Sequence, residues 1–323
     1  MTILLISQAG PMVTVQDRGR KGLLHAGVSG SGPMDGPSMD LANALVGNGP
    51  DDAVLEFAGP GGVFEVTEPV RFAVTGGAVD IRIDGAAAFP WESHHLLPGQ
   101  RLAIGAMRDA VWGYLAFSGG IGTPPVLGAR ATHLRSGLGG LDGRRLGAND
   151  RLLLGEAPAG PLLAFRRFWQ RARGPIRVVP GPQDDYFDQA TWRAFLDEPF
   201  IVSPSRDRMA QILDGPRLPA VGGHDIVSDG TVAGSIQVPA SGRPIVLMAE
   251  RQSTGGYPKI ATVASVDLPR LAQTPSGRAI RFAAISQEEA EDLLIAGRRT
   301  LREAVAGIVE KPASADLSKE ARR

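Results

Sequence analysis

The chain has 323 residues, with 42 Gly and 25 Pro, about a fifth of the total, no Cys, and 6% aromatic residues. That balance favours short strands and tight turns over a helical bundle, and the missing cysteines exclude disulfides, thiolate metal sites and cysteine nucleophiles. With 34 basic against 34 acidic side chains and 43% hydrophobic residues, the chain can bury a core, yet it carries no net charge to draw it to nucleic acid.

In chain order, Met1 to Ser7 (MTILLIS) reads as a first strand, because it lacks a basic flank and is too short for a secretory h-region. Asp35 is placed to cap a helix over Gly36 to Val46, with Pro37 in the first turn and Gly47-Asn48 ending it. Strand-length runs follow at Val54 to Phe57, Val63 to Val66, Val70 to Thr75, Val79 to Ile83, Arg101 to Ile104, Ala110 to Phe117 and Arg151 to Leu154. A seam is expected at Gly155 to Pro175, where Pro and Gly flank a basic, aromatic stretch. Beyond it, Asp184 or Asp185 caps a segment ending near Asp197, with Tyr186, Phe187, Ala190 and Phe195 on one face. Strands are then expected at Ile176 to Val179, Phe200 to Ser203, Ser235 to Val238, Pro244 to Met248, Ala261 to Val266 and Ala279 to Ala283. Ser286 and Glu289 have capping-box spacing ahead of a helix whose apolar stripe runs through Leu293, Leu294, Leu301 and Val305. The expected division is 1–160 and 175–309 as two mostly β domains, 161–174 as linker and 310–323 as a flexible tail. No apolar stretch reaches the roughly 18 residues of a membrane span, so a cytoplasmic protein is expected.

No phosphate-binding loop, nucleophile elbow or metal-ligating histidine spacing occurs, and no metal is expected. Four polar, glycine-punctuated segments carry the chemistry. In the first, Thr14 to Arg20 (TVQDRGR), Arg18 and Arg20 flank Gly19 beside Gln16 and Asp17; they suit either a bidentate carboxylate grip or a hairpin in which Asp17 and Arg18 pair. The second, Leu134 to Arg145, is either an anion-binding nest or a barrel corner. In the third, Ser205 to Met209, a solvated salt-bridge face is favoured over a ligand role for Arg206 or Arg208. The fourth, Arg251 to Lys259 (RQSTGGYPK), concentrates Arg251, Gln252, Ser253, Thr254, Gly255, Gly256, Tyr257 and Lys259, the donors a developing oxyanion requires. Upstream, Gln237 in GSIQVP is expected to line the same cleft.

These segments, with SGPMD at Ser31 to Asp35, LANALVGN at Leu41 to Asn48, LEF at Leu55 to Phe57, SGLGGLDGR at Ser136 to Arg144, PGPQ at Pro180 to Gln183 and DRM at Asp207 to Met209, occur in an order that resembles one family. It is the C-type subunit of bacterial 5-oxoprolinase, also called KipI antagonist or allophanate hydrolase subunit 2, related to the carboxyltransferase domain of urea amidolyase. Ala210 stands where the family usually has Gly, and Ser253 where it has Thr. The resemblance implies two cyclophilin-like β-barrel domains, mostly β with a few helices. It also implies a B-type partner of the KipI or allophanate hydrolase subunit 1 kind and an A-type partner of the LamB/YcsF kind. Expected activities are ATP-dependent opening of 5-oxoproline to glutamate by the complex, biotin-dependent carboxyl transfer, or KipI sequestration without catalysis. The expected catalytic residues are Ser253, Thr254, Tyr257 and Lys259; those expected to bind substrate are Gln16, Asp17, Arg18, Arg20, Arg208, Gln237, Arg251, Gln252, Gly255 and Gly256.

Overall fold

A computed structural model describes residues 1–165 and 170–311. Its first half is two antiparallel sheets. One orders the strands Arg151–Leu153, Ile3–Ala9, Pro60–Val66, Leu102–Met107, Val79–Ile83 and Ala86–Ala88. The other orders Met12–Gln16, Val54–Ala58, Trp112–Phe117, Val70–Thr75 and Ser93–Leu96. The chain steps between sheets at tight corners, Gly10-Pro11 and Gly59. There the backbones touch so closely that a Cβ added at Gly10 would overlap the carbonyl oxygen of Pro60. Leu4, Ile6, Val13, Val15, Leu55, Phe57, Phe64, Phe72 and Phe117 fill the space between the sheets.

The second half is one eight-stranded sheet: Ala279–Ile280, Phe200–Arg206, Ala210–Asp214, Ile245–Leu247, Ser235–Gln237, Lys259–Val263, Ile176–Pro180 and Phe282–Ala284. Its two edge strands are separated in sequence by Arg281 alone, which is possible only if the sheet rolls up until its edges nearly meet. The run expected as one strand over Ala279 to Ala283 is therefore two, broken where the chain leaves one edge and joins the other. Phe195, Phe200 and Phe282 stack inside, with 4.6 Å between the Phe195 and Phe282 ring centroids. The same apolar cluster continues into the first half through Met39, Leu45, Trp112 and Tyr114.

Four α-helices occur among the described residues. Helix α1 (Gly36–Val46) starts as expected, with the Asp35 carboxylate accepting from Ser38 N, and ends at left-handed Gly47. Helix α2 (Gln189–Asp197) is capped by Asp188, not by Asp184 or Asp185, which instead open a single 3₁₀ turn over Asp184–Tyr186. Its buried face is Thr191 and Phe195, one turn apart, while Ala190 is exposed. Helix α3 (Leu268–Ala272) is short. Helix α4 (Gln287–Ala306) has the expected capping box at Ser286 and Glu289, yet none of its residues is buried. Leu294 and Leu301 overlie a cavity of about 410 Å³, and Leu301 and Val305 a second of about 500 Å³. Its stripe is amphipathic without being a core face.

The seam at 155–175 holds a strand, Leu163–Phe165, which pairs with Ile308–Glu310 beyond α4. Lys311 extends the tie through a 2.5 Å ion pair with Glu92. Residues 166–169 of the expected linker and 312–323 of the expected tail lie outside the described residues. No helix among those described is long and apolar enough to cross a membrane.

Phe195 is fully buried between two rings, so Phe195→Ala is expected to lower the unfolding free energy by about 3–5 kcal/mol. Ser286→Ala, which removes only the cap of a helix outside the core, is expected to cost about 1 kcal/mol. Urea denaturation of the two variants checks the ranking.

Candidate functional site

Two polar clusters stand out. The first is built on Glu56, a lone carboxylate in the buried strand Val54–Ala58, directly opposite Tyr114 on the neighbouring strand. Tyr114 Oη donates to Glu56 at 2.8 Å and accepts from Asp35 N at 2.6 Å, while Met34 N donates to Glu56 at 2.8 Å. Arg208 reaches across from the second half and is only 1% exposed. It donates to Glu56, to Glu250 at 2.5 Å, to the Gly32 carbonyl at 2.6 Å and to Ser31 Oγ at 3.1 Å. Burial pushes the Glu56 carboxyl above its usual range against the pull of Arg208. Burial also opposes the Arg208 charge, but the two carboxylates outweigh it and hold the guanidinium above its ordinary value. The expected solvated salt-bridge face at Ser205 to Met209 is thus corrected: the turn at Asp207 sends Arg208 inward. Arg206 donates to the carbonyls of Ala272 and Thr274, and burial lowers it to about 10.

Beside this cluster, His133 Nδ1 accepts from Ser136 N at 3.2 Å, which places the ring proton on Nε2, 2.9 Å from Ser29 Oγ. The histidine therefore donates to the serine and has no lone pair with which to activate it. This pair positions a loop.

The second cluster surrounds Lys259. Its side chain is 2% exposed at the start of strand Lys259–Val263, and Nζ donates to Asp229 at 2.8 Å. Gln183 joins both residues, accepting from Lys259 N at 3.2 Å and donating to Asp229 at 3.4 Å. These hydrogen bonds, chiefly the one from Lys259, hold the Asp229 carboxyl below the usual carboxylate range. Asp229 belongs to a two-stranded ribbon, Asp229–Gly230 paired with Thr254–Gly255, which lies outside the eight-stranded sheet. Gln237 stands opposite Lys259 across the sheet and accepts from Gln252 Nε2 at 3.0 Å. Thr231 fixes the Gln252 segment, its hydroxyl donating to the Gln252 carbonyl and its N–H to the Ser253 carbonyl.

Of the residues expected at the site, Lys259, Gln237, Gln252 and Gly255 are brought together. Ser253 is half-buried, whereas Thr254 and Tyr257 face solvent on the ribbon side, and Gly256 pairs through its carbonyl with Ile226 N. Arg251 is half-buried, and desolvation lowers its pKa. It lines a cavity of about 150 Å³ with Ser31, Met34 and Met248, which joins the loop before α1 to the Arg251 segment. The Thr14 to Arg20 residues go elsewhere. Gln16 is buried on Thr14 Oγ1 and the Thr132 carbonyl; Asp17 accepts from Gly19, Arg130 and Ala131 N–H groups. Arg20 donates to the carbonyls of Val126 and Ala131, and Arg18 pairs with Asp40 at 2.8 Å, not with Asp17. Gly19, at φ +78°, turns the chain between the two arginines, so they share no carboxylate grip. In the glycine-rich loop the Leu138, Gly140 and Gly143 N–H groups are spent on backbone carbonyls and Arg144 clasps Asp150, as a barrel corner requires. Glu56, Tyr114, Glu250, Asp229 and Thr231 were not foreseen from the sequence; of these only Glu56, a charge inside an apolar run, leaves a local signal there.

A family model described as carboxyltransferase domain, subdomain A and B, matches residues 26–284. The chain is 38% identical to the 5-oxoprolinase C subunit of Escherichia coli over 291 residues, 89% of this chain and 93% of that protein. The solved structures of relatives are longer: the chain spans 55% of one that is 37% identical, with a TM-score of 0.78 over 88% of this chain. It spans 31% of the Kluyveromyces lactis urea carboxylase chain, which is 25% identical with a TM-score of 0.85 over 97% of this chain.

Replacing Arg208 by Met strands Glu56 and Glu250 in a dry site and is expected to lower the unfolding free energy by about 3–5 kcal/mol, read from urea denaturation. Asp40 supplies a pH test. Burial pushes its carboxyl up to about 6 despite Arg18. The folded chain thus holds this proton more tightly than the unfolded one, and the stability it lends below pH 4 drains away as pH rises through 6. The stability margin of the wild type over Asp40→Asn is expected to shrink between pH 4 and 7; a constant margin in urea titrations contradicts this.

Proposed function

The chain belongs to the carboxyltransferase domain, subdomain A and B, family, and from that premise we propose that it serves as one component of an ATP-dependent 5-oxoprolinase. With its B-type and A-type partners it hydrolyses 5-oxo-L-proline to L-glutamate. The relative that carries this name in Escherichia coli is matched along nearly its whole length, which favours this activity over that of the longer urea enzymes. The observation that carries the chemistry is the Lys259 side chain, withdrawn from water and held by the half-exposed Asp229.

Opening a lactam requires an electrophile at the carbonyl oxygen, because amide resonance is lost as negative charge builds there. In this reading Lys259 donates toward that oxygen, its charge strengthened by the low dielectric around it. Among the described residues Arg251 has one long contact, 3.4 Å to the Thr231 carbonyl, and its guanidinium is available for the substrate carboxylate. Ser253, Thr254 and Tyr257 bring hydroxyls to the rim. The described residues offer neither a phosphate-binding loop nor a cluster of acidic and histidine side chains suited to a nucleotide-bound metal. ATP use is accordingly assigned to the complex.

A second reading, biotin-dependent carboxyl transfer, is favoured by the fold match to urea carboxylase. The same donors would then polarise a ureido oxygen. Glutamate release from 5-oxoproline by the reconstituted complex separates the readings: it is expected to require this chain, and unchanged release without it rejects the proposal. Lys259→Ala is expected to lower kcat by about 10²–10³-fold while leaving partner co-purification intact, whereas a non-catalytic sequestering role would keep turnover unchanged.

A further inference from the structure

Gln237 is 2% exposed, yet its Nε2 has no hydrogen-bond partner among the described residues, and neither has Gln252 Oε1. The two side chains spend one bond on each other, Gln252 Nε2 to Gln237 Oε1. A primary amide carries an NH2 donor group and a carbonyl acceptor, so the NH2 group of Gln237 and the carbonyl oxygen of Gln252 are left unpaired. Turning both amides over reverses the bond between them and again leaves one donor and one acceptor. The pattern is the same in either of the two joint orientations that keep the bond between the amides.

We infer that Gln237 and Gln252 form a reading pair for a cis-amide edge, the C=O and N–H that a lactam or ureido ring presents on the same side. A trans amide shows these groups on opposite sides, and a carboxylate or lactone offers acceptors only. The pair sits where such an edge would react, since Gln237 is opposite Lys259 on the neighbouring strand. The ring oxygen then receives a hydrogen bond from the pair and another from Lys259, while its N–H is held by the remaining carbonyl. This deepens the reading of Lys259 as the electrophile and rests on it.

Both unspent atoms are shut off from solvent, and the cover is identifiable. Gly255 lies so close to Gln237 Nε2 that any Cβ there would overlap it. Gly255 belongs to the short ribbon that Asp229 latches on Lys259, and Thr231 carries the pairing of that ribbon on to Gln252. Lifting Gly255 and Asp229 uncovers Gln237 and Lys259 beside Gln252 at the base of the ribbon, and the substrate edge takes the place of Gly255.

The test uses the complex assembled with its partners. In ligand-observed NMR, wild type is expected to bind 2-pyrrolidinone at least tenfold more tightly than N-methyl-2-pyrrolidinone or γ-butyrolactone, which lack the N–H. Gln237→Glu and Gln252→Glu are expected to erase that preference and to raise KM for 5-oxoproline tenfold or more. Equal binding of the three probes by wild type overturns the inference, as do variants whose KM stays within twofold. Because the probe comparison needs no variant, a misfolded substitution does not decide it. If wild type discriminates the probes but releases no glutamate from 5-oxoproline, the amide-reading pair stands and the proposed reaction falls.

Discussion

The withdrawal of one guanidinium from water organises this molecule. Arg208 has almost no exposure, so every donor it carries must find an acceptor within the protein, and the acceptors it finds come from segments far apart in the chain. Glu56 belongs to the first half, Glu250 to the second, and the Gly32 carbonyl to the loop entering α1. Fixing Glu250 also fixes the start of the Arg251 to Lys259 segment, and fixing Gly32 places Asp35 for its role as cap. The polar site is thereby positioned by an ion pair it does not contain. Such pairs often give less stability than apolar packing of the same volume; this one joins two halves that also share one apolar cluster.

Much of the secondary structure was legible from local chemistry. Asp35, Pro37 and Gly47 define α1 without reference to the rest of the chain, and Ser286 with Glu289 does the same for α4. Where several local solutions compete, local chemistry misleads. Three acidic residues precede α2, and Asp188 wins because Asp184 and Asp185 are drawn into the turn that carries Gln183 to Lys259. The site was legible in part for the same reason. Lys259, Gln252 and Gly255 lie within one segment, whereas Gln183 reaches Lys259 through the pairing of Ile176–Pro180 with Lys259–Val263 and Asp229 through a ribbon outside that sheet, neither of which a short-range pattern encodes. Arg18 and Arg20 misled because adjacency in sequence suggests a shared target, while a left-handed glycine between them divides their directions.

The buried carboxylates of this chain are well supplied, as Asp17, Asp35 and Asp267 illustrate with two or more partners each. At Gln237 and Gln252, beside Lys259, the chain instead accepts the cost of two facing amides left half-paired under a ribbon only two residues long. Stability sacrificed locally is a familiar mark of a surface that waits for another molecule.

The pairing of Leu163–Phe165 with Ile308–Glu310 has a bearing on how the chain is made. Leu163–Phe165 obtains its strand partner only when Ile308–Glu310 has emerged. On the ribosome the first two sheets can assemble early, since their strands are complete by Leu153, but Glu56 must wait for Arg208, 152 residues later, and Leu163–Phe165 waits almost as long for its mate. The Ile308–Glu310 strand is a stitch, and vectorial synthesis leaves the two halves free to find their register before it is drawn closed.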